Sequence, residues 1–392
     1  MEELIKQGMN AIMNTYGRFS IVLESGAGCR VTDSEGKTYL DFVAGIAVNS
    51  LGHGNEKLVK AISEQAGLLL HVSNLYWNKP QIELASKLVR HSPFDKAFFC
   101  NSGAESVEGS LKLARKYASK HHPERFEIIS MKNSFHGRTF AAITATGQLK
   151  YQKGLSPLLP GIAHVEYDSY EALEAAVSDK TCAVLMEPVQ GEGGIRPAGK
   201  EYLQKVRALC AEKDIMLIFD EVQCGAGRTG TFFAFEQLGA EPDAAVLAKG
   251  MAGGVPIGVI LAKDRFAQAF EPGDHAATFG GNPLAMAAGN VVADELWENG
   301  LLDHAKEAGS HLRAKLLELK GRRPDFIRDV RGLGLMQGIE TAGAAAPVIS
   351  ECIERGLLLV NAGANVIRFV PPLIVTADEI DEACAILEDA LK

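Results

Sequence analysis

Apolar and polar positions follow two rhythms along this chain, and the change between them marks its organisation. From about residue 55 to 280, short apolar runs at 96–100, 127–130, 183–186, 216–219 and 244–247 are separated by stretches with apolar residues at helical spacing. Such runs, bounded by polar turns, read as buried strands. Their alternation with amphipathic helices predicts a mostly parallel sheet wrapped by helices. The first forty residues read as a short helix and then strands. Arg30-Val31-Thr32-Asp33 and Thr38-Tyr39-Leu40 flank the turn Ser34-Glu35-Gly36-Lys37 and predict a hairpin. Asn282-Pro283 opens an Ala-rich helix, with proline in the favoured first turn. Beyond it, strand-like segments at 334–339, 356–360 and 366–370 alternate with helical ones. The fold class is α/β. Residues 1–50 are assigned to a small domain, 51–282 to a large domain, and 283–392 to a smaller α+β domain packed with the N-terminal segment.

Composition narrows the class. A length of 392 residues exceeds one ordinary domain, and 47% apolar with 23% charged residues suits a globular chain with a sizeable core. A formal net charge of −9 argues against nucleic acid or an acidic membrane surface as partner, but not against a small anion. The seven cysteines, at 29, 100, 182, 210, 224, 352 and 384, form no CxxC pair and read as free thiols in a reducing compartment. The first residues lack a basic stretch followed by an apolar one, and no apolar run would span a bilayer, so the expectation is a cytoplasmic protein. His121-His122 has no carboxylate at ligand spacing, and adjacent helical residues face different ways, so no metal site is expected.

The chemistry gathers at the ends of the apolar runs, where parallel α/β sheets bind ligands. Asn101-Ser102-Gly103-Ala104-Glu105 is a small-residue turn opening a helix, which offers free N–H groups to a phosphate, or is a plain N-cap. In Ser134-Phe135-His136-Gly137-Arg138, Phe135 could stack on a flat ring and Arg138 could fork a carboxylate; core aromatic and surface charge are the bland readings. Asp220 ends a strongly apolar run and needs a cationic or hydrogen-bonding partner, such as a protonated pyridine nitrogen. Gln223 follows, able to donate to a phenolic oxygen. Lys249 lies between an apolar strand and a glycine-rich turn, where desolvation would leave a neutral amine able to condense with an aldehyde. Ala277-Thr278-Phe279-Gly280-Gly281-Asn282 could bring Thr278 to a phosphate. A phosphate cradle, a stacking aromatic, a buried aspartate and a buried lysine together are the parts that pyridoxal 5'-phosphate (PLP) requires.

In these motifs the chain resembles the class III (ω-amino) aminotransferases of PLP fold type I, and within them the acetylornithine branch. The likeness runs nearly end to end. It includes Asn14–Arg18, Leu51-Gly52-His53, Glu187-Pro188-Val189-Gln190-Gly191-Glu192-Gly193-Gly194, Asp220-Glu221-Val222-Gln223, Gly227-Arg228-Thr229-Gly230, Ala248-Lys249-Gly250 and Arg368-Phe369-Val370-Pro371-Pro372. The resemblance implies a seven-stranded sheet in the large domain. It implies Lys249 as the covalent lysine and proton shuttle, Asp220 on the ring nitrogen, Phe135 stacked on the ring, and Gln223 at the ring hydroxyl beside Val222. Ser102, Gly103 and Ala104 would hold the phosphate, with Thr278 of a neighbouring subunit, which implies a homodimer. Tyr16, Arg138, Glu187, Ala277 and Arg368 would meet the substrates, an amino donor and 2-oxoglutarate. Arg138 would hold the distant carboxylate of either donor, and Arg368 the carboxylate beside the reacting carbon, which only glutamate has. Glu187 would neutralise Arg368 when the other donor is bound.

Two positions depart from the family pattern: Ala104 stands where threonine is usual, and Ala277 where a hydroxyl residue commonly precedes Thr278. Ornithine aminotransferases carry a tyrosine near Ile46, and the aliphatic residue here suits an acylated amine better. Succinylornithine and 4-aminobutyrate aminotransferases share the pattern. A racemase or aminomutase could use the same cofactor site, and a non-catalytic scaffold would not need both Lys249 and Asp220.

Overall fold

Seven apolar runs become the strands of a central sheet in this computed structural model, which describes residues 1–391. In chain order they are β1 (Lys96–Cys100), β2 (Glu127–Met131), β3 (Ile162–Val165), β4 (Thr181–Met186), β5 (Met216–Asp220), β6 (Ala244–Leu247) and β7 (Gly258–Ala262). Their order across the sheet is β1-β7-β6-β5-β4-β2-β3. Six strands run one way, and β7 is antiparallel to both its neighbours. Every residue of β4, β5, β6 and β7 is buried. Helices on both faces explain why these strands read as continuous apolar runs rather than alternating ones.

The helix Gly103–His121 covers one face through Val107, Leu111, Leu113, Ala114 and Tyr117. The helix Pro283–Trp297, capped by Asn282 accepting from the Ala285 amide at 2.9 Å, packs against Glu56–Leu68, Lys79–Arg90 and the turn Lys249–Ala252. Two four-stranded sheets flank this body. The strands Leu23–Ala27, Arg30–Asp33 and Thr38–Asp41 form the expected hairpin and its extension. Leu357–Leu358 completes their sheet, parallel to Thr38–Asp41, with the Leu40 amide donating to Gly356 O at 2.8 Å. The other sheet orders Ile327–Leu333, Met336–Thr341, Val366–Phe369 and Val360–Asn361, and carries Arg368. All seven cysteines are buried and unpaired. Among the described residues no helix is long and apolar enough to cross a membrane.

Candidate active site

Because β1, β4, β5 and β6 are parallel, their carboxyl ends bring Asn101, Glu187, Asp220 and Lys249 to one edge of the sheet. A cavity of about 440 Å³ lies there, lined by all four and by Ser102, Gly103, Ala104, Phe135, His136, Arg138, Val222 and Gln223. Asp220 is only 4% exposed. Two hydrogen bonds hold its carboxylate: Val222 N donates to Oδ1 at 3.0 Å, and His136 Nδ1 to Oδ2 at 2.7 Å. His136 is itself buried, so the aspartate meets a fixed dipole rather than water. Sequence reasoning quoted His136 within its motif without giving it a role; the signal was a histidine in the turn beside the stacking aromatic.

At the start of Gly103–His121, Ser102 is both cap and lining residue: its Oγ accepts from the Glu105 amide at 3.2 Å. The first N–H groups of the helix have no intrahelical acceptor and point toward the cavity end of the dipole. Gly103 is required sterically, since a Cβ there would lie 2.7 Å from a Val222 methyl. Gly137, at φ +131°, lets the turn that carries Phe135 close onto Ala104, whose Cβ would sit 2.7 Å from a side chain at 137.

Lys249 has φ +44°, a left-handed conformation that costs a side-chain-bearing residue roughly 1–3 kcal/mol. The surroundings impose it: Gly250 O accepts from Ser50 Oγ at 2.8 Å, and the helix Pro283–Trp297 packs on the turn. Burial pushes the Lys249 ammonium below its usual range and outweighs the attraction of Glu192. The amine is thereby moved toward its neutral, nucleophilic form.

The arginines differ sharply. Arg368 is 1% exposed and pairs with Glu192, while Gln223 Oε1 accepts from its Nη1 at 3.0 Å. Glu192, not Glu187, is therefore the carboxylate that neutralises Arg368. Burial pushes the Glu192 carboxyl up, but Arg368, through its charge and its hydrogen bond, brings it below the usual carboxylate value. Glu187 follows β4 directly, and its two oxygens accept from backbone amides, Phe135 N at 3.1 Å and Gly191 N at 3.0 Å. Burial raises it to about 7. In the sequence Glu187 follows a buried strand and Glu192 lies among Gly191, Gly193 and Gly194, and neither placement says which carboxylate meets Arg368. Gln223 lines the cavity but is engaged with Arg368, and its Nε2 lies 3.4 Å from Glu192 Oε1. Arg138 is exposed to the cavity and has no hydrogen-bond or salt-bridge partner among the described residues; its guanidinium lies over the Tyr151 ring, 4.0 Å from the centroid.

Four expected residues lie apart from the cavity lining: Arg368, which sits behind Gln223, and Tyr16, Ala277 and Thr278. Tyr16 is 69% exposed, in an N-terminal depression formed by residues 5–22. Thr278 is exposed, and the Ala277 carbonyl accepts from Asn74 Nδ2 at 3.1 Å.

Residues 11–391 match the family described as aminotransferase class-III. The chain belongs to that family. It is 55% identical to an acetylornithine aminotransferase of Gloeobacter violaceus over 382 residues, 96% of this chain and 94% of that protein. It is 50% identical to one of Methanocaldococcus jannaschii, covering 96% and 95%. Among solved structures it is similar to the ornithine aminotransferase of Toxoplasma gondii, with a TM-score of 0.95, 30% identity and coverage of 99% and 94%. The N-acetylornithine aminotransferase of Stenotrophomonas maltophilia gives a TM-score of 0.85 and 36% identity, with coverage of 99% and 98%.

This class-III aminotransferase is a PLP-dependent transaminase, and its residues fit the cofactor. A buried carboxylate suits a ring nitrogen, a helix start suits a phosphate, and a lysine of lowered basicity suits an aldehyde. When bound, PLP supplies an aldehyde carbon that takes up the amino group and a protonated ring that withdraws the electron pair left at the reacting carbon.

Proposed function

We propose that this enzyme transfers the terminal amino group of N2-acetyl-L-ornithine to 2-oxoglutarate, giving N-acetyl-L-glutamate 5-semialdehyde and L-glutamate. One observation carries the reading: the site holds a buried arginine already paired with a carboxylate, Arg368 with Glu192, and a second arginine, Arg138, whose guanidinium has no hydrogen-bond partner among the described residues. One site must accept two donors. Acetylornithine reacts far from its only carboxylate, which Arg138 receives. Arg368 then has nothing to bind and stays paired with Glu192, since an unpaired cation there would be costly. Glutamate has a carboxylate beside its reacting carbon, which takes Arg368 while Glu192 moves away. Glu192 also borders an adjoining depression of about 650 Å³, which gives its side chain room to move. Lys249 would hold the cofactor aldehyde and move the proton at the reacting carbon, Asp220 would keep a ring nitrogen protonated, and Phe135 would support a ring face. Turnover is ping-pong: the semialdehyde leaves, its amino group retained by the enzyme, before 2-oxoglutarate binds and takes that group away as glutamate.

The assembly we infer is a homodimer. Leu68, Leu70, Leu75, Tyr76, Trp77 and Phe279 are all more than half exposed, the kind of clustered apolar side chains that mark an interaction surface. Asn74 Nδ2 donates to Ala277 O and Gly280 O, and Asn78 Nδ2 to Gly281 O, so the 68–77 segment and the Thr278 loop form one surface. A second copy on that surface would bring Thr278 to the partner's phosphate cradle. The acyl preference rests on Ile46, held at φ +64° where ornithine aminotransferases are expected to carry tyrosine. Single-turnover reactions of the holoenzyme with acetylornithine, ornithine, succinylornithine and 4-aminobutyrate test the assignment. Acetylornithine should react fastest; a clear preference for ornithine or 4-aminobutyrate would refute it.

A further inference from the structure

We propose that Tyr151 is a positioning residue that aims Arg138 at the substrate carboxylate, an inference that rests on Arg138 being the carboxylate binder. An arginine that must fork a carboxylate needs its N–H donors free, and those donors lie in the plane of the guanidinium. Holding such a group with an acidic or carbonyl partner would consume the donors that the substrate needs. An aromatic face holds it without using any of them. Arg138 shows this arrangement: its Cζ lies 4.0 Å from the Tyr151 centroid and 5.5 Å from that of Phe135. Arg368, by contrast, spends its donors on Glu192 and Gln223.

Tyr151 is well placed to act as a fixed wall. Its ring meets Phe135 edge-on, with centroids 5.6 Å apart. It lies on the short helix Leu149–Gln152, which side-chain amides fasten at both ends. Gln152 Nε2 donates to Ile143 O, Thr144 O and Thr146 O at 3.0–3.3 Å. Gln148 Nε2 donates to Asn133 O and Ser134 O, both at 3.1 Å, just before Phe135. The ring is thus registered to the same turn that carries the arginine. Lys150 Nζ lies 4.7 Å from the ring centroid, so the ring carries a second cation besides Arg138.

The test measures single-turnover kinetics of the holoenzyme and of Y151F, Y151L and R138L. The substrates are acetylornithine, glutamate and N-acetylputrescine, which is acetylornithine without its carboxylate. Y151L should weaken half-saturation for both carboxylate-bearing donors by roughly 2- to 5-fold, the range of one exposed cation–π contact. It should leave N-acetylputrescine unchanged, Y151F should behave as wild type, and Y151L should add nothing in the R138L background. Equal slowing of all three amines would mean that Tyr151 only supports Phe135 or the fold, and no effect of Y151L would also overturn the proposal. If R138L keeps its preference for acetylornithine over N-acetylputrescine, the role of Arg138 itself fails, whatever Y151L does. If Y151L does not retain the visible absorption of bound cofactor, Y151Q replaces it in the same comparison.

Discussion

Replacing Glu192 by alanine should separate the two half-reactions. Arg368 is 1% exposed, and its partners are Glu192, Gln223 Oε1 at 3.0 Å and Asn361 O at 3.4 Å. Removing one partner of a buried ion pair costs roughly 3–5 kcal/mol. Here the Gln223 oxygen remains and retains about 1.5–3 kcal/mol of that, the worth of one hydrogen bond to a charged group. The residue is about 1–3 kcal/mol, or roughly 5- to 150-fold at 1.4 kcal/mol per decade. That penalty is carried equally by free E192A and by its acetylornithine complex, both of which leave Arg368 unpaired, so the acetylornithine half-reaction is little changed. Glutamate escapes it, because its own carboxylate pairs Arg368 and no longer has to displace Glu192. Rapid mixing of the E192A holoenzyme with each donor, following loss of visible absorption, gives the two rate constants separately. Glutamate gaining on acetylornithine by a factor within that range, with the acetylornithine rate nearly constant, supports the geometry. Loss by the same factor in both half-reactions would refute the argument.

Asp220→Asn keeps the shape next to His136 but removes the charge. It should lower kcat by roughly 10- to 150-fold, measured in steady state, as the loss of one charge-assisted hydrogen bond. Glu221 is buried and accepts from the amides of Ala234 and Phe235; burial raises it to about 7 from 4.5. A carboxyl with a raised pKa in the folded state gives stability that is complete below about pH 4.5 and declines as pH rises through 7. The span is about 3 kcal/mol. The difference in melting temperature between wild type and Glu221→Gln should therefore drift against wild type from pH 5 to 8; a constant difference would contradict it. Trp77→Glu, at an 87% exposed position, should yield monomers by light scattering and weaken cofactor retention on dialysis. A stable dimer would place the interface elsewhere.

Much of the fold was legible because fully buried strands leave continuous apolar runs, and because Asn282-Pro283 is an unambiguous helix start. Lys249 and Asp220 were legible for the same reason: a charged residue at the end of such a run has to be accounted for. What escaped was pairing between distant segments. Sequence offers Arg368 two glutamates five positions apart, and only the backbone shows that Glu187 is consumed by the amides of Phe135 and Gly191. Tyr151 had no signal either, since a tyrosine in a four-residue helix resembles any half-buried aromatic. Tyr16, Ala277 and Thr278 lie off the cavity lining, where only the proposed second copy would bring them to a site.

The strand pair Leu357–Leu358 has a consequence for how the molecule is made. A ribosome releases Leu23–Ala27, Arg30–Asp33 and Thr38–Asp41 first, yet the open side of Thr38–Asp41 is closed only by residues translated near the end. For most of synthesis that edge is a bare ladder, able to pair with any passing strand. Nascent chains halted before residue 357 should therefore be sticky at their oldest part rather than at their newest, and quality control that watches the N-terminal hairpin would be reading whether the C-terminal end has arrived.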